Sequence, residues 1–211
     1  MARRLPVYLL LDTSGSMSGE PIEAVQNGLA TLRSALNNEP QALETVHLSI
    51  ITFNDRAQQD TPLTELSQFQ IPQLRASGCT ALGAALKLVA ERAEVEVAKN
   101  TPEAKGDWKP MVFLMTDGEP TDNISEGLAA FKKRKWGVVV ACAAGMSANE
   151  SVLKSITESV VRLDTASSDE FKALFQWISQ SVVSSSRSAG AGQELTSGDM
   201  LEPPPPEVTI L

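Results

Sequence analysis

The sequence predicts an α/β protein, a doubly wound and mostly parallel sheet with one antiparallel edge strand and helices on both faces. Three observations predict it. Short apolar runs alternate along the chain with longer amphipathic segments, which is how a sheet covered by helices reads in sequence. The runs are apolar at nearly every position rather than every second one, so both faces of their strands are buried. The 211 residues, 42% hydrophobic and 21% charged, suit an ordinary globular core, and their number favours one domain with an appendage over two domains.

The first run, PVYLLL at 6–11, follows two arginines and resembles the start of a secretory signal. Asp12 cuts it short and no small-residue cleavage site follows, so it reads as a first strand. Residues 20–37 carry the helical period at Ile22, Val25, Leu29, Leu32 and Leu36, with Pro21 suited to the first turn and Asn37, Asn38 and Pro40 ending the helix. VHLSIITF at 46–53 is the second strand. A weak strand at 57–61 follows the Asn54-Asp55 turn and pairs back on it as an antiparallel edge.

A helix is expected over 80–98, with small residues at 81, 83, 84 and 85 that allow close backbone approach. Strand MVFLMT at 111–116, helix 124–136, strand VVVACA at 138–143, helix 149–158, strand 160–164 and helix 168–183 complete the alternation. The domain is therefore expected over residues 1–183. From 184 the composition turns to Ser, Gly and Ala, then to four prolines at 203–206, so 184–211 reads as a flexible linker leading into polyproline II. Either this tail is inert or Val208, Ile210 and Leu211 dock on the domain or on a partner.

The formal charge of −8 argues against nucleic-acid and anionic-membrane surfaces, which draw on concentrated positive charge. Cations and basic protein patches are the expected partners. No stretch approaches the roughly 18 apolar residues of a membrane span. Cys79 and Cys142 are too few for a disulfide framework and form no CxxC pair, which fits a reducing, cytoplasmic setting.

Function is concentrated where the first strand ends. In LLLDTSGSM, Asp12, Ser14 and Ser16 occupy every second position, and in an extended segment alternate side chains share a face. Turn chemistry or a helix cap explains the same residues. Strand 111–116 also ends in an acid, Asp117. If it neighbours strand 6–11, the interstrand spacing of about 4.8 Å brings Asp12 and Asp117 into one crevice at the carboxyl ends of the strands, where ligands of such sheets gather. Two like charges there call for something positive. Thr80, behind Gly78, is either a plain N-cap or a fifth oxygen. Two carboxylates and three hydroxyls, without sulfur or imidazole, suit a hard cation, Mg²⁺ or Mn²⁺, over zinc or copper; Ca²⁺ remains open, although the set differs from an EF-hand loop.

DTSGSM at 12–17, Thr80 and TDG at 116–118 resemble the DxSxS, Thr and Asp elements of the metal-ion-dependent adhesion site (MIDAS) of von Willebrand factor A domains, over about residues 4–183. The resemblance implies the doubly wound fold, direct metal contact by Ser14, Ser16 and Thr80, contact partly through water by Asp12 and Asp117, and a partner's Asp or Glu as the last ligand. It implies a protein–protein interaction module, not an enzyme. The compact form and TDGEPTD at 116–122 look most like the TerY-type bacterial tellurite-resistance proteins, which implies a stress-response setting and a kinase or phosphatase as partner.

A metal-dependent hydrolase or phosphatase is the chief rival, since an oxygen-bound metal activates water. Its supporting cast is missing: Met17 stands where a GxSxG elbow needs serine, the lone His47 lies within a strand, and no P-loop or dinucleotide pattern occurs. A metal-independent scaffold is the third reading, with the cationic run 132–135 as its patch, although such a run at a helix end also complements the helix dipole. Glu119, Pro120 and Asp122 border the site and either select the ligand or serve the loop.

Overall fold

The computed structural model describes residues 3–190 and 201–211. The strands are β1 (Leu5–Asp12), β2 (Val46–Phe53), β3 (Ala57–Glu65), β4 (Met111–Thr116), β5 (Val138–Ala144), β6 (Val160–Leu163) and β7 (Thr209–Ile210). The helices are α1 (Glu20–Asn37), α2 (Pro40–Thr45), α3 (Leu82–Glu96), α4 (Ile124–Lys132), α5 (Glu150–Ile156) and α6 (Ser168–Gly190). The strands form one seven-stranded sheet in the order β3-β2-β1-β4-β5-β6-β7. Neighbours from β2 through β6 run parallel, whereas β3 and β7 pair antiparallel at the two edges.

The central strand β1 is buried along its whole length, as its unbroken apolar run requires. Its alternate side chains feed two cores. Leu5, Val7, Leu9 and Leu11 pack with α1 and α6 on one face, while Tyr8 and Leu10 pack with Leu86 and Val89 of α3 and Leu153 of α5 on the other. Full burial of each such side chain stabilises the fold by about 1.5–3 kcal/mol, so β1 anchors both layers. Helix α1 follows β1 onto one face and α4 follows β4 onto the other. The chain therefore diverges between β1 and β4, and a crevice opens at their carboxyl ends.

Several elements differ from the sequence expectation. Pro40, taken as a stop, opens a new helix α2 instead, where its missing N–H costs nothing in the first turn. Strand β3 runs on through Pro62 to Glu65, which an edge strand tolerates because one side of it needs no donor. Arg134, in the cationic run after α4, is not simply solvated: it pairs with Glu94 at 2.7 Å and donates to the Ala93 carbonyl. His47 has a structural place, its Nδ1 lying 3.3 Å from the Thr45 carbonyl.

The largest difference lies beyond residue 183. Helix α6 continues to Gly190 through the serine run, and within it Ser179 and Ser186 return their hydroxyls to the Phe175 and Val183 carbonyls at 2.6 and 2.8 Å, so neither oxygen is left unsatisfied. Residues 191–200, the Ser/Gly part of the expected linker, lie outside the described residues. Residues 201–211 return along α6: the Trp177 indole N–H donates to the Glu202 carbonyl at 2.6 Å, Val208 is buried in the core, and β7 joins β6. The Leu211 N–H donates to the Val160 carbonyl at 3.0 Å.

Candidate functional site

The crevice between β1 and β4 gathers all five oxygen-bearing residues singled out above. The β1–β4 register pairs Leu11 with Met115, which sets Asp12 beside Thr116 at the strand ends. Asp12 is buried; its Oδ1 accepts the Ser14 N–H at 2.8 Å and its Oδ2 the Thr116 hydroxyl at 2.5 Å. The Oγ atoms of Ser14 and Ser16 lie 3.0 Å apart, and Ser16 Oγ donates to Asp117 Oδ1 at 2.8 Å. A continuous chain of oxygens thus runs from β1 to the loop after β4.

Ser16 arrives by a different route from the one its spacing suggested. The extended backbone stops at Ser14, and Gly15–Met17 form one 3-10 turn that swings Ser16 round onto Ser14. Neither serine caps α1, whose N-cap is Gly19 without a side-chain bond. The loop is held from below by two backbone bonds, Gly15 N–H to the Gly78 carbonyl at 3.0 Å and Ser77 N–H to the Thr13 carbonyl at 2.8 Å. Gly78 makes this possible: its φ of +75° suits glycine, and a Cβ there would meet the Asp55 carboxylate at 2.6 Å.

Thr80 is not an N-cap either. Helix α3 has Ala81 at its N-cap with no side-chain bond of its own. Asp122, from the loop after β4, supplies the cap: its Oδ1 and Oδ2 accept the N–H groups of Gly83 and Ala84 at 3.0 and 2.8 Å. Thr121 and Thr80 bond to each other through Thr80 N–H to Thr121 Oγ1 at 3.0 Å and Thr121 N–H to the Thr80 carbonyl at 2.9 Å. The Thr80 side chain is left facing Gly118, where a Cβ would stand 3.7 Å from its Oγ1. Thr80 is only 5% exposed, and its hydroxyl has no hydrogen-bond partner among the described residues.

Thr116, Thr121 and Asp122 are the residues that reading for ligands passed over or placed differently. The signal for Asp122 was the lack of any capping side chain at the start of α3.

The electrostatics of the crevice are one-sided. Burial raises the Asp12 carboxyl above its ordinary value; the Ser14 and Thr116 hydrogen bonds oppose this and the charge of Asp117 adds to it. Burial likewise raises Asp117, with the Ser16 hydroxyl working against it. Among the described residues neither acid forms an ion pair with Lys or Arg. A buried acid, a half-buried acid and an unpartnered hydroxyl therefore converge with no Lys or Arg paired to either acid. A hard divalent cation fits this set, since it matches two carboxylates in charge and takes neutral oxygens as further ligands. Among the described residues no group of three or more His, Cys, Asp or Glu side chains is placed to hold a metal ion, so this set depends on its hydroxyls as well as its two acids.

A model of the von Willebrand factor type A domain matches residues 7–176. The chain belongs to that family. A relative in Synechocystis sp., an uncharacterised protein, is 36% identical over 124 residues, which cover 56% of this chain and 26% of that protein. Proximal thread matrix protein 1 of the mussel byssus has a similar fold, at 20% identity and a TM-score of 0.60 over 86% of this chain and 47% of its own. That mussel protein is also described with a zinc-occupied MIDAS motif. The von Willebrand factor type A protein from Catenulispora acidiphila gives 15% identity and a TM-score of 0.61 over 87% of this chain and 44% of its own. The domain thus spans about a quarter of the cyanobacterial relative and under half of these structural neighbours, and at such identities the neighbours share its fold.

Proposed function

We propose that this von Willebrand factor type A domain is a non-enzymatic interaction module that binds a divalent cation, Mg²⁺ first among candidates, and through it an Asp or Glu of a protein partner. The single observation that carries the reading is the convergence of Asp12, Ser14, Ser16, Thr80 and Asp117 at the β1–β4 divergence with no Lys or Arg paired to either acid. Ser14, Ser16 and Thr80 would hold the ion directly, with Asp12 and Asp117 balancing its charge in part through water. The bound ion supplies an electrophile that an outside carboxylate completes. The chain's own residues fix where that happens: Thr116 orients Asp12, the 3-10 turn presents Ser16, and Thr121 with Asp122 fixes Thr80.

The narrower likeness to TerY-type proteins rests on TDGEPTD at 116–122, and it adds a kinase or phosphatase as a candidate partner. Two free cysteines, one of them exposed, support a reducing compartment. No helix among the described residues is long and apolar enough to cross a membrane.

Capture of protein from a lysate tests the module in three conditions: with magnesium, with chelator, and with Asp12→Ala in magnesium. Partner retained in the first alone is the expected result. Equal retention in all three rejects the metal-dependent reading. Turnover of a phosphate or peptide ester that tracks bound metal rejects the non-enzymatic one.

A further inference from the structure

The rim around the candidate cation site differs on its two sides, and the sheet order fixes the sequence of its features. Beyond β5 the chain turns at Gly145 and places Met146 in solvent at 76% exposure. The loops after β4 and β5 are neighbours, because these strands pair up to Thr116 and Ala143. They are tied together by Asn149, whose Nδ2 donates to both carboxylate oxygens of Glu119 at 2.8 Å. Single exposed apolar residues are ordinary. Met146 is set apart by its place. Of the four exposed large hydrophobics among the described residues, Val95 closes α3 at the opposite end of the sheet, Leu43 lies in α2, Ile210 lies on edge strand β7, and Met146 alone stands on the carboxyl-end rim.

On the other side of the site, above β2, lies a polar pocket of about 170 Å³ lined by Thr13, Thr52, Asn54, Asp60 and Arg75. Thr13 sits between Asp12 and Ser14, so pocket and cation site share one stretch of backbone. Asp60 is engaged inside the pocket by the Thr52 hydroxyl at 2.5 Å and the Gln58 amide at 2.7 Å. Arg75 is exposed and makes no hydrogen bond or ion pair among the described residues. The pocket thus holds one carboxylate, engaged by neutral donors, and one guanidinium with every donor free, and a guanidinium recognises a carboxylate in a planar fork.

We propose that this rim reads a short extended segment of a partner protein laid across the strand ends, with an acid on the cation, an apolar side chain on Met146 and a second acid on Arg75. The inference rests on the cation-dependent reading above and names what surrounds the bound acid. Strand spacing sets the register. The cation site lies between the ends of β1 and β4, so Met146, beyond β5, and the pocket, above β2, each lie about one and a half strand spacings away, about 7 Å, on opposite sides. At about 3.3 Å per extended residue, the apolar side chain falls about two residues to one side of the cation-bound acid, and the second acid about two residues to the other. Glu119, standing between the cation site and Met146, disfavours an acid on that side, which fixes the direction of the asymmetry.

The test is selection of a random displayed peptide library on the whole chain in magnesium, with counter-selection in chelator, repeated for Met146→Ser and Arg75→Gln. Both substitutions are at exposed positions, and a thermal melt matching wild type verifies the fold. Wild type is expected to enrich an acid flanked by an apolar residue on one side and an acid on the other. Met146→Ser is expected to lose the apolar preference alone, by tenfold or more, and Arg75→Gln the second acid alone. Magnesium-dependent enrichment of a lone acid, or flanking preferences unchanged in the variants, overturns this inference while leaving the cation-dependent module standing. Enrichment that ignores magnesium overturns both.

Discussion

Thr80 and Thr121 hold each other through two hydrogen bonds, Thr80 N–H to Thr121 Oγ1 at 3.0 Å and Thr121 N–H to the Thr80 carbonyl at 2.9 Å. The loop after β4 therefore does two things at once. It carries Asp117 toward the β1 loop, and a few residues later it fixes the backbone that presents Thr80. A change in that loop reaches three of the five candidate ligands by direct contact: Asp117 itself, Ser16 bonded to it, and Thr80.

Replacing Asp122 separates positioning from ligation. Asp122→Ala removes the two acceptors that cap α3 and should cost about 0.5–2 kcal/mol, the range for loss of a cap. Because α3 begins two residues after Thr80, magnesium affinity should also fall severalfold while selectivity among cations stays the same. Asp122→Asn keeps one acceptor and should fall between. Chemical denaturation with and without magnesium measures both effects, and an unchanged metal-free midpoint for Asp122→Ala would contradict the capping role.

The two acids of the crevice give a signed dependence on pH. Burial raises both Asp12 and Asp117 above the ordinary carboxyl value in the metal-free fold. A carboxyl whose folded value is raised stabilises the fold at low pH, where it is protonated, and that contribution is lost as pH rises through the raised value. A cation takes the ionised form. The stabilisation by magnesium should thus be small in acid and grow across the window from the ordinary Asp value to the raised ones, reaching about 2.7 kcal/mol when magnesium exceeds its Kd a hundredfold. Asp117→Asn, which cannot ionise, should raise the metal-free melting temperature at neutral pH and abolish the magnesium gain. Differential scanning fluorimetry across pH, in magnesium and in chelator, reads both; a magnesium gain independent of pH would refute the linkage.

The central strands were legible because β1 and β4 are apolar at nearly every position, the pattern of a strand buried on both faces. The gathering of Asp12, Ser14, Ser16, Thr80 and Asp117 was legible because strand ends in such a sheet share one rim. Ser16 reaches the crevice by a route its spacing did not show, since period-two alternation ends at Ser14 and a 3-10 turn does the rest. Asp122 was left open between selecting the ligand and serving the loop, because a cap supplied by a distant element marks the helix it serves only by the lack of a cap of its own. For 201–211 the sequence left an inert tail and docking of Val208, Ile210 and Leu211 side by side, because two strand residues and a run of prolines have no periodicity and their place depends on Trp177 and the free edge of β6.

That docking predicts a loss of stability on shortening the chain. Removal of residues 201–211 withdraws Val208 from the core and the Glu202 carbonyl from the Trp177 indole, which leaves a buried donor unpaired. Burial of one valine accounts for about 1.5 kcal/mol or more, and an unpaired buried donor costs about 1–3 kcal/mol. Val208→Asp in the full chain should lose a comparable amount. Urea unfolding should place both variants below wild type, and equal midpoints would show that the segment adds nothing to the fold.

Helix α1 leaves the site and crosses α6 at Gly28, where a Cβ would stand 2.1 Å from the ring of Phe175. Phe175 is fully buried, so the ring has nowhere to retreat, and Gly28→Ala should destabilise by about 1–3 kcal/mol through overpacking despite alanine's better helix propensity. Phe175→Leu alone should also destabilise, by opening space beneath α1. Combined, the two changes should cost less than their sum, because the smaller side chain makes room for the new methyl group. A double-mutant cycle by urea unfolding measures that coupling. Strict additivity would mean that α1 and α6 yield as rigid bodies rather than meeting at this one ring.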